Sequence, residues 1–504
     1  MKRPQLARSA VLFVIIAVYA AVRLFGMTAA CLWFDEIFSV HAAEHSWNSI
    51  LAFISLDLIH PPLFYVLLKL WIGIGGDGLF WVRLFPVAFS VLAVFPFIAF
   101  CRELKLSFWT QIFALLLFAT NGTLIKYSQE VRMYSLLLCL SLFSMWLFAK
   151  YFARGKSLIL LVIVNILLVY THYFGWLVIT AEISSIMLFQ RIKWRPILIM
   201  FGVTLVSFLP WSIAVLQAAK SSVGLSQNIG WIDRPGILPL IQLALGLVEP
   251  FYFQTNSDEP ISILRVSLPM LAILIVSPIL YLSTTKTEND EDKLPIKLFL
   301  SFAVLPLFIV FVASWALPYS VWGTRHLIFI FAPFSILFAL VITRMNSLRT
   351  RTAIITLVLL LIGYGFLLSP PGGAGRNSWC GCEPMAAIAA EMGPGNIYTF
   401  EDLVAYHVWY GSRGNTTKGP VSKVSGIEGL TEDRSYFLPR GFDEVTTVDF
   451  MAINDARLFI VFRAKQIDER EQPVRSFLVR GYRIKDKFVV EAKDGDTIML
   501  YLEK

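Results

Sequence analysis

Apolar runs of roughly 18 residues or more recur along the first three quarters of this 504-residue chain, each long enough to cross a bilayer as a helix. In hydrocarbon the backbone must satisfy its own hydrogen bonds, so a chain of such runs folds as a bundle of membrane helices. Composition agrees: 57% of the residues are hydrophobic and 15% charged, against about 25% charged in soluble domains. A formal charge of +8 would suggest a nucleic-acid partner in a soluble protein. Here the cations fall in short clusters between apolar runs, which excludes that reading and points to membrane topology.

The clusters are Lys2/Arg3/Arg8, Arg102/Lys105, Lys150/Arg154/Lys156, Arg191/Lys193/Arg195, Lys286/Lys293/Lys297 and Arg344/Arg349/Arg351. Placing each on the cytoplasmic side gives eleven crossings near 11–31, 80–100, 108–126, 133–152, 157–172, 174–190, 196–217, 262–282, 296–316, 327–343 and 353–369. The first thirty residues have the outline of a signal peptide, but apolar segments continue throughout, so an uncleaved first helix is expected. The amino terminus is then cytoplasmic, in a bacterial or archaeal plasma membrane. Two further apolar stretches, 61–74 and 237–253, are read as interfacial or re-entrant; if both crossed, the count would be thirteen.

The first external loop, 32–79, follows the first span. Within it Trp47, Ile50, Leu51 and Ile54 recur at helical spacing, which predicts an amphipathic helix flat on the outer membrane surface. After the membrane domain (1–369), the linker "PPGGAG" opens a second domain, 370–504. Helical patterns at "EPMAAIAAEM" and "LVAYHVWY" mix with strand patterns at "NIYTF", "RSYFLP", "ARLFIVF", "RIKDKFVVEAK" and "TIMLYLE". The last two are joined through Asp494-Gly495-Asp496, a hairpin signal. The expectation is a small extracytoplasmic α/β domain. Cys31, Cys101, Cys139, Cys380 and Cys382 are too few and scattered for a disulfide framework, and Cys380 and Cys382 read as incidental.

With this topology, ionisable residues from four segments reach one leaflet. Asp35, Glu36, His41, Asp57 and His60 lie in the first external loop; "YSQEVRMY" brings Gln129, Glu130, Arg132 and Tyr134. "THYFGW" adds His172 and Tyr173, and "WGTRHL" adds Arg325 and His326. Such groups are expensive at membrane depth and mark a functional site by default. A carboxylate there can act as general base toward a hydroxyl, and arginines can hold a phosphate and the charge developing on it. Nucleotide chemistry has no support, since no glycine-rich phosphate loop follows a strand. The acidic triplets Asp290-Glu291-Asp292 and Asp494-Gly495-Asp496 read as loop and turn, and Asn415-Thr416-Thr417 matches a glycosylation sequon without further meaning here.

Asp35-Glu36 after the first span, then "HPPLFYVLLKLW", "QEVRMYSL", "THYFGWL" and "TRHLIFIFAPF" resemble the protein O-mannosyltransferase and aminoarabinose-transferase superfamily. These are the GT-C membrane glycosyltransferases of the family 39 type, and the resemblance covers roughly residues 10–370. It implies a GT-C-like bundle, a polyprenyl-phosphate sugar donor, an extracytoplasmic acceptor hydroxyl and inversion at the anomeric carbon. By position Asp35 would be the catalytic base and Glu36 would orient the base or the acceptor. Arg132 and Arg325 would bind donor phosphate. His60 stands where the aminoarabinose branch has a lysine before the two prolines, so it would offer phosphate only a partial charge near neutral pH. Glu130, Tyr134, His172, Tyr173 and His326 are candidate substrate contacts. A divalent metal, present in the aminoarabinose branch, stays open and unassigned.

Each residue also has a structural alternative: an acidic pair starting a solvated loop, an arginine snorkelling to headgroups, a histidine filling a packing hydrogen bond. Two other functions compete with glycosyl transfer. A lipid-linked sugar transporter or flippase would also carry charges in the membrane, usually at midplane with paired repeats; no repeat is visible here. An envelope-binding scaffold would not need an intact Asp35 and Arg132.

Overall fold

The computed structural model describes residues 2–504 apart from 190–193, 222–228, 252–262, 285–289, 369–377, 414–418, 431–437, 465–466, 469 and 493–494. Arg191, Lys193, Lys286, the "PPGGAG" linker, the sequon at 415–417 and Asp494 therefore lie outside the described residues. Among the described residues, eight helices are long and apolar enough to cross a membrane, and five shorter apolar helices accompany them. The protein is an integral membrane protein.

The first helices are α1 (Lys2–Leu24), α2 (Phe34–Glu44), α3 (Ile50–Asp57), α4 (Leu63–Gly75), α5 (Leu79–Leu92) and α6 (Val94–Glu103). Next come α7 (Phe108–Thr120), α8 (Gly122–Ser128), α9 (Tyr134–Arg154), α10 (Leu158–Thr171), α11 (Gly175–Phe189) and α12 (Trp194–Ser221). The bundle closes with α13 (Ile237–Val248), α14 (Leu268–Thr284), α15 (Asp290–Phe299), α16 (Leu305–Ala316), α17 (Phe331–Thr343) and α18 (Leu348–Leu368). Every expected crossing falls on a helix or on a pair such as α5/α6 or α7/α8. The break between α7 and α8 has a local cause. The Asn121 side chain caps α8 by accepting from the Leu124 N–H at 3.0 Å. Arg23, fully buried on α1, donates to the freed α7 carbonyl of Ala119 at 3.0 Å.

The basic clusters around Arg8, Arg102, Arg154 and Arg351 gather at one end of the bundle. Arg154 pairs with Glu103 at 3.0 Å, Arg8 lies over the Phe108 ring, and Arg351 donates to the carbonyl of Thr343, which itself bonds Thr110. The stretch 61–74 forms α4 and does not cross to that end. Midway along it, Lys69 Nζ donates to the carbonyls of Ala43 and His45 at 3.1 and 2.6 Å; just beyond it, Asp77 lies 3.9 Å from Arg413 of the C-terminal domain. Within the stretch 237–253, Ile237–Val248 form α13, which starts beside Trp315 and ends at the α7–α8 break, where Gly122 N–H donates to the Glu249 carbonyl at 2.8 Å.

Ile50, Leu51 and Ile54 of the expected apolar stripe lie on the helix α3. Ile50 and Ile54 of α3 are buried against the protein, while Trp47 and Leu51 stay about half exposed. α3 packs against α2 and α12, and Arg440 of the C-terminal domain donates to the Leu56 carbonyl at 3.1 Å.

The C-terminal domain is a six-stranded sheet of order β3-β2-β1-β4-β6-β5. β1 (Asn396–Thr399), β2 (Val421–Ser425), β3 (Val445–Asp449) and β4 (Arg457–Arg463) are parallel. β5 (Arg483–Val490) and β6 (Thr497–Glu503) form the expected antiparallel hairpin. The helices α19 (Cys382–Glu391), α20 (Asp402–Gly411) and α21 (Val474–Val479) complete it. Most of the expected strand at "RSYFLP" (434–439) lies outside the described residues; β2 and β3 were not among the expected strands. The cysteine expectation is also corrected: Cys31 and Cys380 form a disulfide across 349 residues, tying the C-terminal domain to the segment before α2.

Candidate active site

The two acids of the first loop sit in the first turn of α2, where the helix dipole favours negative charge. A turn of about 100° per residue sends them to different sides. Glu36 faces inward and is fully buried. It accepts from Arg83 Nε at 3.2 Å and Nη2 at 2.8 Å, from the Val131 N–H at 2.9 Å and from the Trp33 N–H at 3.1 Å. Arg83 also donates to the carbonyls of Met27, Ala30 and Cys31, each at 2.7 Å. Glu36 therefore does not orient an acceptor; its oxygens are engaged in fixing the chain on both sides of the site. Arg83 escaped the sequence reading because it lies inside an apolar run, although a lone guanidinium in such a run was itself a signal.

Asp35 faces the open side, 21% exposed at its side chain, with Arg325 Nη1 at 3.5 Å and Arg132 Nε at 4.0 Å. Arg132 is buried and comes from the loop between α8 and α9. That loop is held by Gln129, whose side chain donates to the carbonyls of Arg23 and Phe25 at 3.0 and 2.8 Å. Arg132 Nη1 lies 3.3 Å from each of the Asp35 carbonyl, Ser39 Oγ and Tyr65 OH. Its Nη2 is 3.1 Å from His60 Nε2.

That last contact corrects the role of His60. A guanidinium only donates, so His60 Nε2 accepts, and Nδ1–H donates to Asp57 at 2.9 Å. The ring is neutral, and burial together with Arg132 pushes its pKa below the ordinary value. His60 is a brace for Arg132, not a cation for phosphate.

The other candidates close the ring of contacts around Asp35. The His326 ring lies 4.8 Å from that of His172 and 6.0 Å from that of Tyr134. His172 in turn lies 5.9 Å from His60. The Arg325 guanidinium sits 5.8 Å from the Trp33 ring and 5.9 Å from that of Tyr134. Tyr173 does not join them; its hydroxyl accepts from Trp211 on α12 at 3.3 Å.

Five buried polar atoms in this neighbourhood have no hydrogen-bond partner in the protein: Trp33 Nε1, Glu130 Oε2, Arg132 Nε, Tyr134 OH and His172 Nε2. Native folds leave few such atoms, and a cluster of them calls for an explanation. His172 Nδ1 accepts from the Phe174 N–H at 3.0 Å, so a neutral ring carries its proton on the unpartnered Nε2. Four of the five are thus donors. Together with Arg325 they form a cradle suited to an anion. Burial pushes the Glu130 carboxyl up to about 7, against the pull of Lys126.

A divalent metal does not fit this donor set. Among the described residues no group of three His, Cys, Asp or Glu side chains could hold one. Asp35 already faces two guanidinium groups, and Asp57 is paired with His60.

No protein-family model matches the chain, and no curated protein matches its sequence. Solved structures do match in fold. ArnT from Cupriavidus metallidurans, bound to undecaprenyl phosphate, superposes with a TM-score of 0.62 at 11% identity over 97% of each chain. The same protein in its apo state gives 0.61 at 11% identity over 98% of each chain. The oligosaccharyltransferase from Archaeoglobus fulgidus, in complex with Zn and sulfate, gives 0.50 at 13% identity over 81% of this chain and 62% of that one. The chain has the GT-C fold, as its motifs led one to expect.

Proposed function

We propose that this protein is an inverting glycosyltransferase that moves a sugar from a polyprenyl-phosphate donor to an acceptor hydroxyl outside the cytoplasm. The acceptor class is a cell-envelope lipid, glycan or protein. The observation that carries the reading is the cluster of unpartnered buried donors around Asp35, Arg132 and Arg325. The likeness in fold to ArnT, solved with undecaprenyl phosphate, supports the same class of donor. The Cys31–Cys380 disulfide supports the location, since such bridges persist in oxidising compartments. The basic clusters at the opposite end then face the cytoplasm.

In the reaction, the acceptor hydroxyl gives its proton to an Asp35 carboxylate oxygen as its own oxygen bonds the anomeric carbon. Attack comes from the face opposite the phosphate, so the centre inverts. The bond from that carbon to the phosphate oxygen breaks, and the electron pair leaves with polyprenyl phosphate, which gains one negative charge. Arg325 and the Nε of Arg132 meet that charge, while Tyr134 OH, Trp33 Nε1 and His172 Nε2 donate to the remaining phosphate oxygens.

The test is incubation of purified protein in lipid with polyprenyl-phosphate sugars and extracted envelope acceptors. Sugar should appear on an acceptor with an equal amount of free polyprenyl phosphate. Movement of intact donor across the bilayer, with no lipid phosphate released, would sink the proposal in favour of a flippase.

A further inference from the structure

The C-terminal domain grips α2 at several points. Before the helix, Cys31 is bonded to Cys380, four residues ahead of Asp35. Along the helix, His41 Nδ1 lies 2.8 Å from the hydroxyl of Tyr406 on α20, and the Phe34 ring packs 5.4 Å from that of Tyr406. Trp409 and Phe442 flank the His41 ring at 4.8 and 5.3 Å. At the helix end, Arg413 pairs with Glu44. His41 and Tyr406 are both buried, so their bond is shielded from water. On the membrane side, α2 is held through Glu36, through Arg132 at the Asp35 carbonyl and Ser39, and through Lys69.

We propose that Cys380 and Tyr406 are positioning residues for the transfer reaction: the C-terminal domain sets the place of Asp35 by holding α2 at the disulfide and at His41. This rests on the glycosyltransferase reading given above. Neither residue touches the reacting atoms, and both act through the backbone that carries the base. A base displaced by about 1 Å can cost on the order of 10²-fold in rate while leaving donor binding intact. Most of the phosphate cradle should survive, because Arg132, Arg325, Tyr134 and His172 come from the bundle and Trp33 is its one donor on the segment next to the bridge. Cys382 cannot replace Cys380 by exchange: it is fully buried, and burial holds its thiol up to about 12.

The experiment uses the full-length protein in lipid, reduced after folding, with opening of the bridge checked by mass. Turnover should fall by about tenfold or more while the donor KM stays within about twofold, and reoxidation should restore the rate. Cys31→Ala with Cys380→Ala should behave like the reduced protein, and Tyr406→Phe should show a smaller loss of the same kind. Amide exchange across residues 32–44 should quicken on reduction. Reduced protein that turns over at the full rate with unchanged exchange would overturn the proposal. If the oxidised protein transfers no sugar at all, the glycosyltransferase reading fails, and the exchange measurement still decides whether the domain holds α2.

Discussion

Asp35 and Glu36 are neighbours in sequence, yet they lie in regions of opposite character. Around Glu36 every charge has a partner: Arg83 forks onto the carboxylate and onto three carbonyls, and two backbone N–H groups complete the set. Around Asp35 the cations outnumber the facing carboxylate, and polar atoms are buried without partners. A satisfied knot of this kind is scaffold, because it has nothing left to offer a ligand. An unsatisfied cluster tolerates its cost only when something else completes it. Two carboxylates on neighbouring residues are thus told apart by the partners each has already gained.

The sharpest break of this comparison is Asp35→Asn. The amide keeps the shape but cannot accept the acceptor's proton, so transfer should fall by about 10²–10⁴ while the protein inserts and binds donor. Near-normal turnover would remove Asp35 from the base role. Next comes Arg325→Ala, expected to slow transfer by about 10²–10³, as for a lost oxyanion donor. Arg325→Lys should restore only part of that, since an ammonium cannot reproduce the guanidinium fork; full rescue would mean simple charge or snorkelling.

On the scaffold side, Glu36→Gln should act on stability. It leaves the Arg83 charge buried without its counter-ion, a change worth about 3–5 kcal/mol where a buried pair is broken. Thermal unfolding in detergent would show it, and residual folded protein should keep its donor KM. The smallest effect concerns pH. Glu130 has a folded pKa raised to about 7 from the usual carboxylate range, so it is protonated below that value and gains a negative charge beside the phosphate above it. Donor affinity should weaken a few-fold as pH rises through about 7. Stability falls in the same direction, because the folded state binds the proton more tightly than the unfolded one between about 4.5 and 7. Glu130→Gln should flatten both profiles; an unchanged pH dependence would clear Glu130 of the effect.

Much of the site was legible because ionisable residues stand out in so apolar a chain. Asp35, Arg132, His172, Arg325 and His326 were all visible as ionisable groups at helix mouths, and the fold brings them together. Their division of labour was not legible. Whether Glu36 faces Asp35 or Arg83 depends on helix phase and on which neighbour arrives, and the state of His60 depends on Arg132 donating to it. The disulfide was invisible because its partners are 349 residues apart. The membrane spans were readable from length and apolarity, while the order of the parallel strands depends on non-local pairings that no local pattern records.

The central claim is that the unsatisfied cluster is where the donor phosphate sits. The most direct measurement is the affinity for polyprenyl phosphate, without sugar, of the wild type, Arg325→Ala and Asp35→Asn in the same lipid. Binding should weaken by about tenfold or more in Arg325→Ala and hold or tighten in Asp35→Asn, where the carboxylate that competes for Arg325 is neutralised. Equal affinity in wild type and Arg325→Ala would contradict the account and place the phosphate elsewhere in the protein.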